Sequence, residues 1–132
     1  MNATATIQQL LEDLEARRPA KWAVEGTRAL GQPDMAHVSG SAGGTPARHL
    51  LSIYEIRLAH LRARGINAEG LVELVGWLRF LSPETRVTLE LFLSSTTAVV
   101  AFYSPPGVLG ACVTIAYDPA RGKENWAFAM GY

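Results

Sequence analysis

RVTLELFLSSTTAVVAFYSPPGVLGACVTIAYDPARGKENWAFAMGY, residues 86–132, reads as four consecutive strands and decides the fold class. Val87, Leu89, Leu91 and Leu93 alternate with Thr88, Glu90 and Phe92, the period of a strand with one buried face. The polar turn Ser94-Ser95-Thr96-Thr97 leads into the apolar run Ala98–Tyr103. Pro105-Pro106-Gly107 ends that run, because proline cannot donate to a ladder and glycine permits the reversal. Leu109, Ala111, Val113, Ile115 and Tyr117 then alternate with Cys112, Thr114 and Ala116. After the turn Asp118–Gly122, a last strand carries Trp126, Phe128, Met130 and Tyr132 on one side. Parallel neighbours would need long crossovers, so short turns between these runs predict an antiparallel meander.

Upstream, the periodicity changes to that of helices. Ile7, Leu10, Leu11 and Leu14 predict a helix from about Ile7 to Arg17, with Thr6 and Gln9 at capping-box spacing and Pro19 as the stop. Thr45-Pro46 predicts a second start, a capping hydroxyl followed by proline at the first helical position. Leu50, Leu51, Tyr54, Leu58 and Leu61 make its apolar face, and Gly65 ends it. Asn67 caps a third helix in this reading, with Leu71, Leu74, Val75 and Leu78 on its buried side and Ser82-Pro83 after it. Residues 20–45 show no clean period. A short helix near Glu25–Leu30, or a functional or mobile segment, is the expectation there, and Ser39–Gly44 reads as a flexible loop. The fold class expected is therefore α+β, about three N-terminal helices (about residues 6–81) laid on a four-stranded antiparallel meander (about 86–132), in a single domain over residues 1–132.

Composition narrows the function classes. With 48% hydrophobic and 18% charged residues the chain has the make-up of a folded protein rather than a disordered one. Twelve basic and twelve acidic residues leave a net charge of zero, which argues against a nucleic-acid partner. A lone cysteine excludes an internal disulfide and fits a reducing compartment. The N-terminus lacks the basic region of a signal peptide, and no apolar run approaches the roughly 20 residues of a membrane helix. Cytoplasmic localisation without a membrane partner is the expectation. Arginine supplies nearly all the basic charge, Lys21 and Lys123 being the lysines, as in GC-rich bacterial coding sequences.

No residue set spells out a chemistry. His49 and His60 fall nearly on one side of the second helix, about 16 Å apart, too far to share a metal whose ligands sit about 2 Å away. Asp34 and His37 have helical spacing in a segment of doubtful helicity. The glycines of Ser39–Thr45 lack the following lysine of a phosphate-binding loop. Cys112 reads as a small core residue within a strand. No catalytic residue, cofactor or metal is expected, and the reading leans away from an enzyme.

What remains is a surface that binds. Trp126, Phe128, Met130 and Tyr132 are either core against the helices or, on an uncovered edge strand, a docking surface for a partner. The functional expectation is a protein-binding domain, an immunity protein or antitoxin that neutralises a cognate toxin by binding it. Trp126 and Tyr132 are its expected contacts, with Arg121 and Lys123 at the rim and the Ser39–Gly44 loop alongside. The same edge would permit pairing between two copies. The alternative is a small enzyme or ligand-binding domain with a pocket between helices and sheet, drawing on His49, Glu55, Arg57 or His60.

Overall fold

A computed structural model describes residues 3–16, 36–40, 43–94, 97–105, 109–118, 121 and 123–131. Helix α1 spans Ala3–Glu15, followed by strands β1 (Ala36–Ser39) and β2 (Thr45–Pro46), helices α2 (Ala47–Ala63) and α3 (Glu69–Phe80), and strands β3 (Arg86–Leu93), β4 (Thr97–Tyr103), β5 (Ala111–Asp118) and β6 (Lys123–Met130). The class is α+β, as the periodicities imply. The short helix considered near residues 25–30 and the terminal Tyr132 lie outside the described residues.

The meander β3-β4-β5-β6 forms in sequence order and wholly antiparallel. The sheet is larger than four strands, however. On the free side of β3, β1 pairs from Ala36↔Leu93 to Ser39↔Glu90, and β2 pairs at Thr45↔Val87 and Pro46↔Arg86, which makes six strands. The glycines between β1 and β2 are not a free loop at their two ends. Gly40 donates its N–H to the Leu89 carbonyl at 2.7 Å, and a Cβ there would come within 2.9 Å of that oxygen. Gly44 has φ +71°, which favours glycine, with the Val87 carbonyl close by. These short strands have no readable period because pairing with β3, not amphipathicity, holds them in place.

All three helices bury one face. Alternation along β3 and β5 sends Val87, Leu89, Leu91, Leu93, Ala111, Val113, Ile115 and Tyr117 into the core. Leu71, Leu74, Val75 and Leu78 are buried on α3 as their spacing predicts, and Trp77 joins them. Tyr54 packs edge-on to Phe102 and Trp126 with ring centroids 6.0 and 6.1 Å away, and Trp77 meets Phe102 at 5.8 Å. The opposite sheet face, with Thr88, Thr114, Ala127 and Ala129, is exposed or half-buried. Cys112 is half-buried on this outer face, a correction to its reading as core.

The helix ends depart from their expected caps. α1 begins at Ala3, so Thr6 is a helical residue and not a cap. Thr45 pairs with β3 instead of capping α2, and its hydroxyl lies 3.0 Å from the Thr4 hydroxyl in a buried contact. The first donors of α2 are satisfied by backbone: Ala47 N–H bonds the Thr85 carbonyl at 2.8 Å and Arg48 N–H the Pro83 carbonyl at 3.0 Å. Ala68, not Asn67, is the N-cap residue of α3, without a side-chain cap bond. Two stops take their expected form, Ser82-Pro83 directly after the C-cap of α3 and Gly65 at the end of α2. With φ +72° Gly65 donates to the Arg62 carbonyl while Ile66 donates to that of Leu61, a Schellman closure. No helix among the described residues is long and apolar enough to cross a membrane.

Candidate functional site

A buried polar network is built around Arg57. On α2 it falls within the apolar stripe Leu50, Ile53, Tyr54, Leu58, Leu61, and only 2% of it is exposed. A guanidinium taken out of water costs several kcal/mol unless its donors are met. Glu124, on the helix-facing side of β6, meets two of them: Nε donates to Oε1 at 3.0 Å and Nη2 to Oε2. Nη1 donates to Glu15 Oε2 of α1 at 2.9 Å. The network extends at both ends, for Trp126 Nε1 donates to Glu124 Oε1 at 2.7 Å and His60 Nδ1 lies 2.7 Å from Glu15 Oε2. One strand and two helices are thus joined through a single buried cation.

Beside this network a cavity of about 430 Å³ opens between α1 and α2. Leu11, Ile53 and Ile56 supply its apolar walls, and Glu12, Glu15 and His60 its polar rim, with Arg57 among the lining residues. Spacing explains the convergence. Glu12 and Glu15 are an i, i+3 pair on α1, and so are Arg57 and His60 on α2, so each pair presents one helix side. This pocket lies between two helices, not between helices and sheet. It takes in Arg57 and His60 but neither His49 nor Glu55, the latter receiving a bond from Arg79 at 3.0 Å on the surface between α2 and α3. Among the described residues no group of three His, Cys, Asp or Glu side chains is placed to hold a metal ion.

Of the four residues expected at a docking edge, the three described ones do not share one surface, Trp126 being buried and Arg121 and Lys123 exposed. Trp126 is 4% exposed beneath the helices and belongs to the core. Arg121 and Lys123 are exposed at the β5–β6 turn beside Asp118, which lies 3.6 Å from the Arg121 guanidinium and opposite Lys123 in register. Tyr132, beyond the other end of β6, lies outside the described residues.

Nor is the β6 edge open along its length. Gly131 N–H bonds the Gly110 carbonyl, and by ladder alternation the Trp126 carbonyl then points away from β5, toward the edge. The first turn of α3 sits against that carbonyl. A Cβ at Gly70 would collide with it and lie 2.9 Å from Ala127 Cα. Covering an edge with a helix is a recognised protection against strand addition.

The apolar surface lies elsewhere. Phe80 is 83% exposed, Leu109 59% and Met130 54%. The segments that carry them are held together, for Trp77 Nε1, in the last turn of α3, bonds the Leu109 carbonyl at 3.2 Å, while the Gly110–Gly131 bond holds the end of β6 beside the same segment. On the outer sheet face, His37 stacks on Phe92 at 4.7 Å, and Tyr103 Oη lies 3.5 Å from Glu90 Oε2. Burial, and then Glu90, raise the Tyr103 pKa. No family model, curated protein or solved structure matches the chain.

Proposed function

We propose that this chain is a protein-binding domain of the immunity or antitoxin kind, which neutralises a cognate toxin by binding it, and that it docks through the corner formed by Phe80, Leu109 and Met130. The observation that supports this reading is the exposure of these three large apolar side chains on segments that the Trp77–Leu109 and Gly110–Gly131 bonds hold together. Exposed apolar groups that cluster, rather than scatter, mark interaction surfaces. The charge balance fits apolar docking. With zero net charge, long-range steering is weak, so association runs at the ordinary rate of about 10⁵–10⁶ M⁻¹s⁻¹ and changes little with salt.

The experiment is a binding titration against the protein encoded beside this chain's gene, using Phe80→Ser, Leu109→Ser, Met130→Ser and the triple variant. A hot-spot residue contributes about 2 kcal/mol or more, so single variants weaken binding about thirtyfold. Co-expression of the wild-type chain, and not of the triple variant, restores growth to cells making the partner's toxic domain. A folded triple variant that binds as tightly as wild type would place the docking surface elsewhere. A neighbouring protein that is not toxic, and does not bind, would remove the antitoxin reading.

A further inference from the structure

The cavity between α1 and α2 lies apart from the docking corner, near Glu124 at the opposite end of β6 from Met130. Its volume of about 430 Å³ is within the range of small-molecule sites, roughly 300–1,000 Å³. Its charges are unbalanced. Among the described residues that line it, Arg57 is the one guanidinium against the two carboxylates Glu12 and Glu15, and Arg57 also holds the buried Glu124. Glu124 and one oxygen of Glu15 are engaged by Arg57, and His60 adds positive charge only when protonated. Glu12 stands one turn before Glu15 on the cavity side of α1, and like charges so spaced repel each other. Below them, Leu11, Ile53 and Ile56 offer an apolar bed, with Ile56 56% exposed.

The geometry points to a binding site for a small amphipathic cation, a primary ammonium group carried on an aromatic or aliphatic body. The ammonium sits between the Glu12 and Glu15 carboxylates and relieves their repulsion. The hydrocarbon body covers Ile53, Ile56 and Leu11, which removes apolar surface from water. An anion is excluded by the same rim. Arg57, the group that would attract it, already donates to two carboxylates.

The test uses the whole chain and three probes of similar size, phenethylammonium, phenethyl alcohol and phenylpropanoate, followed by methyl NMR and calorimetry. Phenethylammonium is expected to saturate and to shift the methyl signals of Leu11, Ile53 and Ile56, to bind more tightly than the alcohol, and to leave phenylpropanoate the weakest. Glu12→Gln, an exposed change that preserves the fold, should weaken the ammonium about threefold to fivefold, the size of an exposed ion pair, and leave the alcohol unchanged. Ile56→Ser should weaken ammonium and alcohol together. Equal binding of phenylpropanoate, a Glu12→Gln variant that holds the ammonium as tightly as wild type, or methyl shifts away from these three residues would each overturn the proposal.

Discussion

Arg57 and Glu124, 67 residues apart in the chain, form a two-pronged ion pair buried between α2 and the edge strand β6, with 2% and 3% of their side chains exposed. The pair ties the last strand to the middle helix, and among the described residues neither has another charged partner of the same depth. Its energetic weight comes less from attraction than from what happens when one member is lost.

Removing one charge leaves the other buried and uncompensated. Arg57→Met should therefore destabilise the protein by roughly 3–5 kcal/mol, the usual cost of breaking a buried pair. Arg57→Met with Glu124→Gln should recover most of that loss, because the amide oxygen still accepts from Trp126 Nε1 and no ion remains stranded. Urea unfolding of the two variants checks this. A single variant within about 0.5 kcal/mol of wild type, the level of a surface change, would show that water reaches Glu124.

Two glycines of one helix should respond to alanine with opposite signs. Gly76 faces open space, so Gly76→Ala should stabilise α3 by up to about 1 kcal/mol through helix propensity alone. Gly70 abuts the Trp126 carbonyl, and the added methyl would have to move backbone, so Gly70→Ala should cost about 1–3 kcal/mol despite the same propensity gain. Thermal melts of the two variants, measured side by side, read out the close approach of α3 to β6. Stabilisation by both would mean that α3 stands off the strand.

Tyr54 predicts an alkaline dependence. Its hydroxyl is buried and has no hydrogen-bond partner among the described residues, and burial raises its pKa well above the ordinary tyrosine value. A raised folded-state pKa means that, above about pH 10, the unfolded chain releases a proton that the folded protein keeps. Stability from this group is thus fully present below that pH and falls as pH rises further. Tyr54→Phe removes both the unpaired hydroxyl and the titration. It should stabilise the protein at neutral pH by about 1–3 kcal/mol and flatten the loss between about pH 10 and 11, measured by urea midpoints across that range. A steeper alkaline loss in Tyr54→Phe than in wild type would contradict the assignment.

Local periodicity was enough for the meander, for the buried faces of the three helices and for the Gly65 stop, because each is a property of residues within a few positions of one another. It also carried an unread clue to the buried network. Arg57 interrupts an apolar helical stripe, and Glu124 shares the inward face of β6 with Trp126, both signs of a charge facing the core. Tertiary structure alone decided the rest. The strands β1 and β2 exist through pairing with β3, and the caps expected at Thr45 and Asn67 gave way to backbone donors bonded across to residues 83–85 and to an uncapped start at Ala68. Trp126 became core because α3 covers β6, and the cavity arose where α1 meets α2. These features depend on which distant segments touch, and distance along the chain carries no record of that.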